Sequence, residues 1–383
     1  MEQVQLGKLV KITSGYAFKS NLFNTDQNGL PLIRIRDVVR GYSDTYYDGE
    51  YKAEYLIQNG DTLIGMDGEF NLALWNGGKA LLNQRVCKIQ SIDERLDQDY
   101  LIRFLPKVLK DIEDRTPFVT VKHLSVKDLN NILIPLPPLS EQRRIASILD
   151  KADELRQKRQ QAIEKLDQLL QATFIDMFGD PVSNPKGFKV AKLAEQVDLI
   201  QIGPFGTQLH QEDYIENGIP LINPSHIKNG KIIPNDKLTV SKSKHEELTQ
   251  YHLRLNDVLL GRRGEMGRCA VVTEKEVGWL CGTGSLFIRP NVTNMNPFFL
   301  ELLLSSDSIK KYLENVSQGQ TMANLNKSIV GAIPLILPSI EIQNKFFVIS
   351  EKVDKMKSEF KNAKNQANNL FESLQNKAFS GNL

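Results

Sequence analysis

From Ile145 apolar residues recur every three to four positions over about four heptads, and the pattern returns 201 positions later from Phe346. A seven-residue repeat held that long demands a helix with one adhesive stripe. Read as heptads, the first copy places Ile145, Ala152, Arg159, Leu166 and Thr173 at a, and Ile148, Leu155, Ala162, Leu169 and Asp176 at d. The second places Phe346, Val353, Phe360, Ala367 and Leu374 at a, and Ile349, Met356, Ala363, Leu370 and Lys377 at d. Pro137-Pro138 precede the first helix, with Ser140 as N-cap and Glu141 in the first turn. Gly179 and Pro181 stop it. The second begins after Pro338-Ser339 and ends near Ser380-Gly381. At ~1.5 Å per residue, each is a rod of about 57 Å. Neither stripe is wide enough to bury itself. Antiparallel pairing within the chain is the economical arrangement, and pairing with another chain is the alternative.

The rest of the chain repeats as well. NGLPLI (28–33) returns as NGIPLI (217–222), and QNGDTLIG (58–65) as RLNDVLLG (254–261). Thr120 and Leu124 return as Thr321 and Leu325, and IPLPPL (134–139) as LILPSI (335–340). The offset drifts from 189 to 196 to 201, so the copies differ by small insertions. The boundaries expected are a globular domain at 1–139, a spacer helix at 140–179, a second domain at 180–338 and a second helix at 339–380. Within the domains, short runs such as LVKI (9–12), LIRIRDVV (32–39), DTLIGM (61–66) and QRVCKI (84–89) read as strands between NG, DG and GG turns. VVT (271–273), WLC (279–281) and SLFIRP (285–290) behave likewise, and helices are expected at 98–115 and 297–316. The fold class is α+β: two similar globular domains separated by two long antiparallel coiled-coil helices, a pseudo-two-fold internal repeat.

Several function classes fall away. No apolar run approaches the ~20 residues of a membrane span, and MEQVQLGKLVKITSG is no signal peptide. Cys87, Cys269 and Cys281 form no CxxC, which suits reduced thiols in a cytoplasmic protein. A net charge of +2 over 383 residues excludes a general polycation. Asn296-Pro297-Phe298-Phe299 lacks the second proline of an amino-methyltransferase loop and reads as a helix start; Gly282-Thr283-Gly284 has no βαβ setting. There is no GxxxxGK[ST], no GxSxG, and no close ligand pair among His123, His210, His226, His245 and His252. The expectation is a chain without catalytic residues, metal or cofactor of its own.

What remains is two recognition modules held apart by a coiled coil. The richest loop is Gly261-Arg262-Arg263-Gly264-Glu265-Met266-Gly267-Arg268, whose arginines suit bidentate contacts to guanine or phosphate. Its equivalent carries Asp67 and Glu69, where a carboxylate accepts from a cytosine amino group. Both stretches also read as plain solvated turns. Arg34 and Arg36 alternate on one strand face, with Asn223 and Ser225 as counterparts; Gln84 and Arg85 correspond to Thr283 and Ser285 with their neighbours. The coiled-coil residues expected along the helices, against each other or against another chain, are Ile145, Ile148, Leu155, Leu166, Leu169, Phe346, Ile349, Val353, Met356, Phe360 and Leu370.

IPLPPLSEQRRIASILDKADEL (134–155), DTLIGMDGEF (61–70), ALLNQRVCKI (80–89) and the duplicated layout resemble the specificity subunit of type I restriction–modification systems. The second copy departs from the pattern, with Glu341-Ile342-Gln343 in place of adjacent Glu-Gln. The resemblance implies two target recognition domains, each reading half of a split DNA sequence, with the helices as ruler. It implies a non-catalytic subunit acting in DNA methylation and phage defence. It implies two methyltransferase subunits that bind S-adenosylmethionine, and restriction subunits that use ATP and Mg. A protein-only coiled-coil scaffold and a stand-alone DNA-binding regulator are the alternatives.

Overall fold

The computed structural model describes residues 2–116, 122–317 and 325–383, so the Thr120/Thr321 recurrence lies outside the described residues. Two compact units emerge, Met1–Gln161 with Phe360–Leu383, and Ala162–Glu359. Each holds one globular domain, part of the first long helix and part of the second.

In the first unit, a four-stranded antiparallel sheet runs in the order Val10–Ser14, Val86–Ser91, Thr62–Gly65, Leu72–Leu74. In the second unit the same order recurs as Val197–Ile202, Ser285–Pro290, Val258–Gly261, Cys269–Val271. A second sheet in each unit contains one parallel pair, Leu30–Ile33 with Ala80–Leu82 and Ile219–Ile222 with Leu280–Cys281. The first strand of each domain pairs with the last before the long helix: Gln3–Gln5 with Leu133–Pro135, and Lys189–Lys192 with Pro334–Leu337.

Two expected elements break where polar groups intervene. LIRIRDVV is not one strand. The strand ends at Ile33 and a helix runs Ile35–Arg40, because the buried Asp37 carboxylate accepts the Arg34 backbone N–H at 3.0 Å and caps the turn. Arg34 and Arg36 therefore do not share a strand face. The helix Gln98–Arg115 has the expected bounds. The one expected at 297–316 is two, Pro297–Ser305 and Asp307–Ser317, parted where Ser306 turns extended and its hydroxyl bonds the Leu303 carbonyl at 2.7 Å. Asn296 caps the first of these with Pro297 in its opening turn, as the sequence suggested.

The long helices span Leu139–Phe178 and Ile340–Ser380. Ser140 is not a cap; the chain is already helical there, and the Pro138 carbonyl accepts from Glu141 N and Gln142 N at 2.9 and 3.0 Å. Within the first unit, Arg156 Nε donates to Asn368 and Arg159 to the Ala363 carbonyl, so rising numbers meet falling ones and the helices are antiparallel. Within the second, Lys357 pairs with Asp167 at 2.6 Å, and Phe174, Phe178, Phe299 and Phe346 form one aromatic cluster. Each such ring contributes roughly 1.5–3 kcal/mol by burial.

The heptad register needs correcting. Most of the a set faces inward, with Ile145, Phe346, Val353 and Ala367 buried, although Phe360 is 36% exposed. The large d residues past the first heptad do not. Leu155 and Leu169 are each 51% exposed, Met356 39% and Leu370 55%. The second line of the seam lies one residue on, at Leu149, Arg156, Ile163 and Leu170, and at Lys357, Lys364, Phe371 and Ala378. Three of those positions, Arg156, Lys357 and Lys364, carry long basic side chains whose stems pack while their heads bond across the seam, which apolar counting cannot see.

Candidate nucleic-acid interface

In each domain the turns at one end of the four-stranded sheet are tied together through backbone. In the first, Gly15 N donates to Val86 O at 2.9 Å, Gln84 N to Tyr16 O at 2.9 Å, Met66 N to Arg85 O at 2.8 Å and Leu124 N to Met66 O at 2.7 Å. In the second, Gly203 N donates to Ser285 O at 3.0 Å, Arg262 N to Gly284 O at 2.9 Å and Leu325 N to Arg262 O at 3.0 Å. The junction is the same and only its side chains differ. Gly15 and Gly203 are required here: a Cβ on either would lie 2.0 Å from the carbonyl oxygen of Asn83 or Gly282. No larger residue fits that approach.

Onto this junction the first domain places Asp67, Glu69, Gln84 and Arg85. Asp67 Oδ2 lies 3.3 Å from Arg85 Nε, and Asp67 Oδ1 lies 2.5 Å from His123 Nδ1. Asp67 thus holds two neighbouring side chains, one on each carboxylate oxygen. Glu69 is exposed and accepts from Asn71 at 3.1 Å. Gln84 and Arg85 are exposed, and Arg85 holds a φ of +72° that non-glycine residues seldom adopt. Arg34 packs over Phe23, and Arg36 is exposed beside Asp37.

The second domain replaces these with Asn223, Ser225, Arg262, Arg263, Glu265, Arg268, Thr283 and Ser285. Two are misassigned as contacts. Arg262 is 8% exposed and its Nε donates to the Leu325 carbonyl at 2.7 Å; burial, then the Arg263 charge, lower its pKa. It closes the junction from inside. Ser285 is fully buried on its strand. Arg263 and Ser225 are exposed. Arg268 bonds Glu265 at 2.6 Å and the Pro224 carbonyl at 3.3 Å. Asn223 Oδ1 accepts from Gly284 N at 3.3 Å, and Thr283 is half-buried beside it.

Two aromatics at the same turns escaped the sequence reading. Tyr16 is 49% exposed, stacks on Tyr55 with centroids 5.1 Å apart, and pairs with Asn83. Phe205, two residues after Gly203, is 64% exposed. Their signal is an aromatic one or two residues after a structural glycine. His123 has no ligand close in sequence, and its partner Asp67 is 56 positions away.

The helices also need reassignment. Ile145, Phe346 and Val353 are buried within their own units and are not free for a partner. Ile148, Leu166 and Ile349 are half-buried; Leu155, Leu169, Met356, Phe360 and Leu370 remain exposed. Among the described residues no helix is long and apolar enough to cross a membrane, and no cluster of three or more His, Cys, Asp or Glu could hold a metal. The three cysteines are buried, and burial pushes the Cys87 thiol up to about 12.

The family model described as "Type I restriction modification DNA specificity domain" matches residues 1–165 and 185–368. The EcoBI specificity subunit of Escherichia coli is 32% identical, covering 100% of this chain and 86% of that one. The MjaVIII specificity subunit of Methanocaldococcus jannaschii is 24% identical over 89% of this chain and 87% of its own. Among solved structures, the S subunit from M. genitalium aligns with a TM-score of 0.57 at 16% identity over 99% and 96% of the two chains. A chain from a study of type I R-M complex assembly and conformational transition aligns at 0.60 and 21% identity, over 100% and 98%. These two share the fold.

Proposed function

The chain belongs to the type I restriction–modification DNA specificity family, and on that premise we propose that each of its two domains reads one half of a bipartite duplex target. It is a DNA-specificity subunit of a restriction–modification complex. The loop junction of each domain is the reading surface, and the helix pair fixes the unspecified gap between half-sites. The observation that carries this reading is the recurrence of one backbone junction in both domains under two different sets of side chains. A shared scaffold with different readers addresses two different short sequences by direct contact to base edges.

The exposed apolar residues of the helices, Leu155, Leu169, Met356 and Leu370, support docking of two methyltransferase subunits. Those subunits would bind S-adenosylmethionine and methylate adenine N6, and restriction subunits would bring ATP, Mg and cleavage. This chain supplies recognition without catalysis, in the cytoplasm. A net charge of +2 suits a subunit whose partners share the phosphate contacts.

The test is co-expression with a cognate adenine methyltransferase and mapping of N6-methyladenine across the host genome. Two short half-sites with a fixed gap support the reading. Methylation indifferent to this chain favours the protein-scaffold alternative, and tight, specific DNA binding by the chain alone favours the stand-alone regulator. Inserting whole heptads after Ala162 should lengthen the gap and leave both half-sites intact.

A further inference from the structure

Three ionisable side chains from three separate loops of the first domain meet at the reading surface: Asp67 after the strand Thr62–Gly65, Arg85 before Val86–Ser91, and His123 before Leu124. Asp67 sits between the other two. Its Oδ1 is 2.5 Å from His123 Nδ1, and its Oδ2 is 3.3 Å from Arg85 Nε. The Asp67 side chain is 21% exposed, and those of Arg85 and His123 are 53% and 47%. The carboxylate is therefore the recessed member and the guanidinium the presented one.

The way Arg85 is held matters. A carboxylate that grips Nε leaves both Nη groups to face outward. Nη1 has only a long 3.5 Å approach to His123 Nδ1, an atom already engaged by Asp67. Nη2 makes no side-chain hydrogen bond among the described residues. Two Nη groups in one plane, one of them held only by that long contact, match the O6 and N7 acceptors of guanine in the major groove. The φ of +72° at Arg85, and the bond from Met66 N to its carbonyl, fix the backbone from which the side chain projects. In the second domain Gly284 takes that carbonyl's place, so this reader belongs to one domain only.

We propose that Arg85 reads a guanine in the half-site of the first domain, and that Asp67 and His123 are positioning residues that present it. This rests on the bipartite-target reading above and goes beyond it by assigning a base to a residue and a new role to Asp67. The acidic residue does not accept from cytosine; it orients the arginine that meets guanine.

The test uses the full chain with its methyltransferase partner and N6-methyladenine mapping. For Arg85→Ala, one position of one half-site should lose its preference for guanine by about 5- to 150-fold, the value of one bidentate contact. The other half-site and the gap should not change. Arg85→Gln should fail likewise, and Arg85→Lys should restore it only in part, since an ammonium is not a fork. Asp67→Ala should relax the same position less, and Asp67→Ala with Arg85→Ala no more than Arg85→Ala alone, because the carboxylate acts through the arginine. An unchanged motif for Arg85→Ala overturns the proposal, and so do additive losses in the double variant. A wild-type complex that yields no split motif overturns the bipartite reading itself, a failure distinct from an intact motif in the variants.

Discussion

Gln142 and Gln343, 201 positions apart, make the same three hydrogen bonds in their respective units. Gln142 accepts from Asp97 N at 2.8 Å and donates to the carbonyls of Arg95 and Pro137. Gln343 accepts from Asn296 N at 2.8 Å and donates to the carbonyls of Asn294 and Pro338. Asp97 and Asn296 are the N-caps of the helices Gln98–Arg115 and Pro297–Ser305. Each glutamine therefore pins the start of a long helix to the cap of a domain helix. The substitution in the second copy falls on the partner of the motif, where Ile342 stands for Glu141, and leaves the buried glutamine in place.

Gln142→Ala and Gln343→Ala should each lose about 2–4 kcal/mol, since each strands one backbone donor and leaves two carbonyls short of a partner. Glu141→Ile should shift stability by less than about 0.5 kcal/mol. Urea denaturation followed by circular dichroism checks the contrast; equal costs for Glu141 and Gln142 would contradict it.

Arg262 and Arg263 should separate cleanly. Arg262→Ala removes a bond to the Leu325 carbonyl from a buried position, and should lower the melting temperature of the second unit by several degrees. Arg263→Ala should leave melting unchanged and weaken or relax one half-site, by ~1–3 kcal/mol if it contacts a base edge. Thermal melts beside methylation mapping distinguish the two roles.

Asp257 and Arg289 form a two-bond pair at 2.8 and 2.8 Å, with the Asp257 side chain fully buried. In the first domain Asp61, the counterpart of Asp257, instead touches Lys88, two residues short of the Arg289 position on the equivalent strand, at 3.5 Å through a single contact. Arg289→Ala should cost about 3–5 kcal/mol by leaving a buried carboxylate unpaired, and Lys88→Ala about 1 kcal/mol or less. Chemical denaturation of the two variants measures the difference.

The helix faces should respond oppositely. Leu149→Ala and Ile163→Ala open cavities in the seam and should cost about 2–4 kcal/mol. Leu155→Lys and Leu169→Lys change exposed positions and should leave folding intact while reducing co-purification of the methyltransferase partner. Loss of folding in the second pair would show that the seam includes them.

Stability of the second unit should fall as pH rises through the range set by Glu301. Burial, chiefly, raises its carboxyl from the ordinary 4.5 to about 7, with the Cys269 thiol 3.8 Å away. Below pH 4.5 folded and unfolded chains are both protonated. From there to about 7 the folded carboxyl keeps a proton that the unfolded one has lost, so the native state binds more protons and loses up to ~3 kcal/mol as pH rises. Glu301→Gln should flatten that slope, read from denaturation midpoints between pH 4.5 and 8.

The sequence by itself determined the architecture. Heptads at Ile145 and Phe346, the NG-PLI repeats and the helix Gln98–Arg115 are local or periodic signals, and each survives because apolar period and turn chemistry act over a few residues. Side-chain direction was another matter. The seam's second line lay one residue from the apolar count because Arg156, Lys357 and Lys364 bury their stems and bond across the helices. Arg262 looked like a reader and is a buried strut, since its acceptor, the Leu325 carbonyl, is 63 positions away. Asp67, Arg85 and His123 meet only because three loops close on one sheet end. Which side chain faces solvent and which is consumed inside depends on partners far along the chain, and only the tertiary structure brings those partners together.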